Sequence, residues 1–174
     1  MIIDVHTHIF PDSLAEKVVP IMAEEAKIQE ALDGKKDSLL KSMEEAGIQI
    51  SWLQPVATKP NQVDTINQFV EKVRSKSLFP FASVHPGYED LPYLIKDLAA
   101  RGFPGIKIHP EYHQIAPDDE RWFPMYRALI EENMMVLFHA GEDIGIPTLN
   151  SRPTNFVRLV QIFPQMTMIL AHMG

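Results

Sequence analysis

The sequence lacks cysteine, long apolar runs and an excess of positive charge. None of the 174 residues is cysteine, which excludes disulfides, thiolate metal sites and a thiol nucleophile, so any metal must be bound by nitrogen and oxygen. The 16 Lys and Arg against 23 Asp and Glu leave a formal net charge of -7, which disfavours nucleic acid and anionic membranes as partners. No run approaches the roughly 18 apolar residues of a membrane span, and the amino terminus has no signal-peptide pattern. We therefore expect a soluble, cytoplasmic protein, and the sequence leaves a homo-oligomer open.

The hydrophobic pattern predicts repeated βα units in one domain. A 45% hydrophobic and 22% charged composition is typical of a folded domain. Short apolar runs recur along the chain, each followed by a segment with helical periodicity, which favours a parallel sheet covered by helices. We expect Pro20 to kink or split the first helix and a second helix to span 38–46. The six predicted strands are Ile2 to Val5, Ile48 to Leu53, Leu78 to Val84, Gly105 to Ile108, Met135 to Phe138, and Met168 to Ala171.

Six of the seven histidines lie at or just beyond the carboxyl end of a predicted strand. In parallel βα architectures the loops that build an active site converge at that edge. A scattered set of surface histidines would not collect there. Among the weaker candidates, His85 only shapes a loop, and His113 is expected to be a surface or lid residue. The strand-end set is His6, His8, His85, His109, His139 and His172.

The ends of three predicted strands offer ligands for a metal. Asp4, His6 and His8 are spaced two apart, which places them on one face of an extended strand. Two imidazoles there can share a divalent cation while the carboxylate orients a ligand from outside, although a buried histidine bonded to backbone is the alternative. His139 and His172 each close an apolar strand and can supply further nitrogens.

Lys107 and His109 lie on the same side of the fourth predicted strand and are candidate substrate-binding residues. The lysine could pair with an anionic substrate or become a carboxylated bridging ligand between two metals. The alternative is a lysine that extends to solvent at the strand end. Arg121 and Arg152 are candidate carboxylate anchors, although loop arginines are more commonly only solvated.

A cation held by imidazoles and carboxylates favours the hydrolysis of an amide, ester or lactone in a small molecule. Such an ion lowers the pKa of bound water and polarises a carbonyl, and a neighbouring histidine can act as general acid and base. We assign that role to His172. Substrate specificity is expected from three loops, namely Pro55 to Gln62, Glu111 to Arg121, and Glu142 to Arg152.

The ordered motifs resemble a known family. Asp4-Val5-His6-Thr7-His8, Gly105-Ile106-Lys107-Ile108-His109-Pro110, Phe138-His139-Ala140-Gly141 and Ala171-His172-Met173-Gly174 are similar to the amidohydrolase-related branch of metal-dependent (β/α)8 enzymes that includes aminocarboxymuconate semialdehyde decarboxylase. The resemblance implies a TIM barrel in which His6, His8 and His139 bind one zinc or similar ion and His172 lies near its bound water. Family members include hydrolases, lactonases, hydratases and non-oxidative decarboxylases. They usually act on small carboxylated or aromatic compounds, and the resemblance therefore implies a substrate of this class.

The chain departs from this family in length. A complete barrel has eight strands and typically about 250 residues, whereas six βα units are predicted here. The aspartate that the family carries at the end of the eighth strand, as a metal ligand, has no counterpart. We therefore expect 1–174 to be a single metal-dependent hydrolase domain, truncated after the sixth strand.

Three other functions stay open. One is a non-oxidative decarboxylase of a small carboxylated or aromatic compound, and another is a catalytically silent metal-binding paralogue or fragment. The third is a TatD-like deoxyribonuclease or PHP-type phosphoesterase, families that also begin with a His-x-His strand. That third option is disfavoured because the third predicted strand carries no metal-binding carboxylate and the net charge is negative.

Overall fold

The computed structural model describes residues 1–173, which form parallel strands alternating with helices. The strands are β1 (Ile3–Thr7), β2 (Ile50–Leu53), β3 (Leu78–Pro80), β4 (Ala82–Ser83), β5 (Gly105–Ile108), β6 (Met135–Phe138) and β7 (Met168–Leu170). The helices are α1 (Asp12–Ala26), α2 (Lys36–Ala46), α3 (Val63–Val73), α4 (Leu91–Ala100), α5 (Pro110–His113), α6 (Phe123–Glu131) and α7 (Pro153–Ile162). Short 3-10 turns span Pro60–Gln62, Glu120–Trp122 and Ala171–Met173. Within residues 1–173, no helix is both long enough and apolar enough to cross a bilayer.

The strands pair in chain order, all in parallel. One sheet has the order β1-β2-β3 and the other β4-β5-β6-β7, and the chain passes from the first sheet to the second between Pro80 and Ala82. This confirms the predicted fold class, a TIM-barrel type of which the chain supplies about six βα units. The strands at the two ends, β1 and β7, carry part-exposed apolar side chains such as Val5 and Leu170.

One sequence prediction about these elements was wrong, and another was wrong in part. The predicted third strand is interrupted at Phe81, whose N–H donates to Leu53 O at 2.9 Å, so one apolar run supplies β3 to the first sheet and β4 to the second. Pro80 precedes this break and offers no N–H to a ladder. Pro20 was expected to kink or split the first helix, and it does not split it, because α1 is continuous with Pro20 in its interior.

Two residues allow close contacts between neighbouring elements. One is the small Gly105, and the other is the polar Asn67. Gly105 opens β5, where an added Cβ would lie 2.4 Å from Met135 O, so only glycine allows this approach of β5 to β6. Asn67 of α3 is fully buried and bonds the backbone of Ser83 twice, accepting from its N–H at 2.7 Å and donating to its carbonyl at 3.0 Å. The Gly105 contact therefore sets the spacing of β5 and β6 where these strands begin, and the Asn67 bonds hold the end of β4 against α3.

Candidate metal centre

The carboxyl edge brings five imidazole rings into one continuous row. His8 lies 5.0 Å from His6 and His6 lies 5.0 Å from His172, measured between ring centroids. His172 lies 4.7 Å from His139, and His139 stacks on His109 at 4.0 Å. Residues from the start and the end of the chain thus meet because β1, β5, β6 and β7 all point their carboxyl ends toward the same edge.

A cleft of about 470 Å³ lies between β1 and β7, and its wall includes His6, His8 and His172. His172 itself has a φ of 59°, in the left-handed region that a side chain with a Cβ seldom adopts. Sparsely populated backbone conformations of this kind cluster at functional sites. The ring of His172 therefore reaches the cleft from a strained backbone rather than from a regular strand.

Lys107 lies beside the row, next to His6, and is fully buried. Its Nζ is 3.4 Å from His6 Nε2, so the alternative of a lysine that extends to solvent was wrong. Burial lowers the pKa of Lys107 to about 7. Burial, followed by the charge of Lys107 and of neighbouring rings, lowers the pKa of His6 to about 3. The His6 ring is therefore neutral at physiological pH, which is the form that binds metals.

His139 carries a buried nitrogen that lacks a hydrogen-bond partner among residues 1–173. The residue is 8% exposed, and its Nε2 makes no hydrogen bond. Burial and the nearby His172 and Lys107 lower the pKa of His139, while Asp143 and a hydrogen bond to the Glu142 backbone raise it. Buried polar atoms are nearly always satisfied, so this lone pair marks a place where a ligand or cation fits.

Asp143 is a site residue that the sequence reasoning missed. Its Oδ2 lies 3.3 Å from His109 Nε2 and 4.0 Å from His139 Nε2. Within residues 1–173, His109, His139 and Asp143 are the group whose possible ligand atoms all lie within 4.8 Å of one another. The available signal was a carboxylate four residues after the strand-end histidine, but nothing local indicates that the loop turns back toward the site.

Asp4 and His109, two further predicted site residues, each accept a backbone hydrogen bond near this centre. Asp4 accepts a hydrogen bond from the backbone N–H of His6 at 3.0 Å, and therefore supports the strand that carries the ring. His109 receives the backbone N–H of Tyr112 at its Nδ1, with 3.5 Å between the nitrogens. A ring that accepts at Nδ1 carries its proton on Nε2, the atom that lies 3.3 Å from Asp143 Oδ2.

His113 was expected at the surface or on a lid, and that was wrong. It is 7% exposed, its Nε2 lies 3.1 Å from Ala57 O, and its Nδ1 has no partner among residues 1–173. The ring packs against Trp122 at 5.7 Å and meets His85 edge-on at 5.5 Å. The residue lies in α5, whose single turn buries it, so the polar neighbours in the sequence were misleading.

Comparison with known proteins places this geometry in a family. A family model described as amidohydrolase matches residues 3–174, whereas no curated protein sequence gives a significant match. A 5-carboxyvanillate decarboxylase from Novosphingobium aromaticivorans, complexed with manganese, superposes with a TM-score of 0.69 and 14% identity over 100% of this chain and 65% of its own. A 4-oxalomesaconate hydratase from Rhodopseudomonas palustris gives a TM-score of 0.60 and 20% identity over 98% of this chain and 62% of its own. A probable 2-pyrone-4,6-dicarboxylic acid hydrolase from Acinetobacter baumannii gives a TM-score of 0.56 and 18% identity over 97% of this chain and 57% of its own.

These structures share the fold, and the chain spans 57% to 65% of their lengths. The match to the family model is independent of them and covers the region from β1 to the last residue, including the whole row of histidines. The chain therefore belongs to the amidohydrolase family.

Proposed function

We propose that this chain carries the metal centre of a metal-dependent hydrolase that acts on an amide, ester or lactone in a small molecule. In this proposal residues 1–174 form a single domain with six of the eight βα units of the barrel. The observation that carries the proposal is the buried, unpartnered Nε2 of His139 within a row of imidazoles at the carboxyl edge. A row of this kind has no structural purpose that the surrounding contacts explain.

The residues proposed to hold the metal are His6, His8 and His139, the set that the family resemblance implies. Their nitrogen donors favour zinc, while the carboxylate of Asp143 also suits manganese, which a related decarboxylase carries. When bound, a divalent cation would polarise a substrate carbonyl and activate water. We propose zinc as the resident ion because three of the four candidate donors are imidazoles.

The other polar residues of the centre act on the substrate and on protons. His172 lines the cleft between β1 and β7, so its ring is placed to give and take a proton as general acid and base. Lys107, buried beside His6, can be the charge partner of an anionic substrate group. His109 accepts from Tyr112 N at its Nδ1 and turns its Nε2 toward the Asp143 carboxylate, 3.3 Å away.

Decarboxylation of a small carboxylated or aromatic compound is the second candidate. It is favoured by the buried Lys107, since a carboxylate substrate would supply the negative charge that this lysine lacks. Among the similar structures, one is a decarboxylase of 5-carboxyvanillate and another a probable hydrolase of a pyrone dicarboxylic acid. Both names describe carboxylated ring compounds, and we propose this class of substrate for the present site.

A metal-dependent assay on purified protein tests the proposal. The protein is stripped with a chelator, reloaded with zinc or manganese, and assayed with lactones and carboxylated aromatic acids. We expect turnover to require metal, and we expect His172→Ala to lose about 100-fold or more in kcat while most of the metal stays bound. His139→Ala should instead lose the metal itself.

His85→Ala is the matched control because His85 also follows a strand but lies beside His113 and outside the row. It should retain both metal and turnover. Full activity in His172→Ala would remove that ring from the mechanism. Stoichiometric metal without turnover on either substrate class would support the catalytically silent alternative and overturn the enzymatic proposal.

A further inference from the structure

Glu111 makes an unusually dense set of hydrogen bonds to a distant loop. It is 1% exposed, on α5 directly after β5. Its carboxylate accepts from Thr148 Oγ1 at 2.5 Å, Asn150 N at 2.6 Å, Asn150 Nδ2 at 2.8 Å and Ser151 N at 3.2 Å. All these donors lie 37 to 40 residues further along the chain. The buried charge is therefore satisfied almost entirely by one segment.

That segment is the end of a loop from Gly141 to Ser151, the 141–151 loop, which links β6 to α7. The two ends of the loop are joined, because Gly141 N donates to Ser151 O at 3.3 Å and Ser151 Oγ donates to Gly141 O at 2.9 Å. Burial by itself would raise the pKa of Glu111, but the bonds from Thr148, Asn150 and Ser151 outweigh it and hold the pKa below its ordinary value. The carboxylate is thus ionised and fixes the closed base of the loop to α5.

The loop carries Asp143, the carboxylate of the metal centre. Asp143 Oδ1 accepts from Gly145 N at 2.8 Å, which leaves Oδ2 to face His109 and His139. Asp143 follows Gly141 by two residues, so a shift of the loop base moves its carboxylate directly. An error of about 1 Å in such a group is enough to damage a catalytic site.

We propose that Glu111 is a positioning residue that clasps the 141–151 loop to α5 and thereby holds the Asp143 carboxylate beside His109 and His139. This inference adds a positioning residue to the proposed function, and its metal-binding test rests on that function. Its structural part stands on the hydrogen bonds alone. The hydrogen bonds of Glu111 among residues 1–173 go to the 141–151 loop and to no ring of the row, so it acts through the loop.

The test compares Glu111→Gln with Asp118→Asn. Asp118 is a matched control because it is also a buried carboxylate, and it accepts from Asn155 Nδ2 at 2.7 Å and Arg158 Nη1 at 3.2 Å on α7, outside the 141–151 loop. Hydrogen exchange of 142–150 reports the clasp without any metal. We expect this exchange to become at least about tenfold faster in Glu111→Gln, since hydrogen bonds to an ionised group are among the strongest, and to stay unchanged in Asp118→Asn. Unchanged exchange in Glu111→Gln would overturn the proposal.

Metal affinity in a double-mutant cycle tests the link to Asp143. Competition with a chromophoric chelator gives the Kd for zinc in Glu111→Gln, Asp143→Asn and the double variant. We expect Glu111→Gln to weaken binding about tenfold, as removal of a supporting partner commonly does, and the double variant to bind no more weakly than Asp143→Asn alone. If the losses of zinc affinity in the two single variants multiply in the double variant, Glu111 acts by another route and the positioning role is overturned. A wild-type protein that binds no metal would refute the proposed function, while the exchange result would still decide the clasp.

Discussion

His113 should give the fold a large and separable dependence on pH. Burial first, and then the neighbouring His85, lower the pKa of His113 to about 4, against a small opposing effect of the bond to Ala57. The unfolded chain therefore takes up a proton near pH 6.5 that the folded chain resists down to about pH 4. A lowered pKa of this kind gives stability that is fully present above pH 6.5 and is lost as the pH falls toward 4. The difference corresponds to about 3 kcal/mol of unfolding free energy.

His113→Gln isolates this contribution because the glutamine amide can still donate to Ala57 O but does not titrate. We would measure urea unfolding by tryptophan fluorescence at several pH values between 7 and 4. The free energy of unfolding of the wild type, minus that of the variant, should fall by about 3 kcal/mol across this range. Titrating groups that are not coupled to His113, such as the histidines of the row, cancel in the difference, which leaves His113 and its neighbour His85. A difference that is constant with pH would refute the burial argument for His113.

Three further substitutions test other contacts. Gly105→Ala should destabilise the fold by about 2–3 kcal/mol in chemical denaturation, because its Cβ would collide with the Met135 carbonyl. Asn67→Asp should lower the free energy of unfolding by about 3 kcal/mol, since it buries a charge and removes the donor to Ser83 O. An unchanged denaturation midpoint would contradict this role for the Asn67 amide. Because the pKa of Glu111 is lowered on folding, the stability advantage of wild type over Glu111→Gln should be full above the ordinary glutamate pKa and shrink as the pH falls below it, as acid titration of both proteins would show.

The row of histidines was predictable because its placement depends only on where the strands end. Once His6, His109 and His139 are each assigned to the end of a parallel strand, the topology of the sheet brings them to one edge without any knowledge of the loops. The same reasoning found Lys107, whose strand position points it inward. The burial of that lysine beside His6 follows from packing and was open from the sequence.

Asp143, Glu111 and His113 were missed or misjudged for a common physical reason. The place of each is set by contacts between segments far apart in sequence, such as the bonds that Glu111 receives from Asn150 and Ser151. Polar loop residues give no periodic signal, so their local sequence cannot distinguish a solvated side chain from one buried by a returning loop. The break at Phe81 has a similar origin, since a bond to Leu53 decides which sheet receives each half of the run.

Three features that weaken this fold lie together at its carboxyl edge. The buried Lys107, the unpartnered Nε2 of His139 and the left-handed backbone of His172 each oppose stability, and rings of the row link them within a few ångströms. Asn67, by contrast, pairs both atoms of its buried amide with Ser83, and the other buried side-chain atoms without a partner among residues 1–173 belong to Ser51, Gln54, His113 and Trp122. Selection for stability alone would remove such features, because an apolar replacement for a buried charge is commonly neutral or stabilising. Their concentration at one edge is therefore best explained by ligand binding, which supplies the partners that the folded chain leaves out.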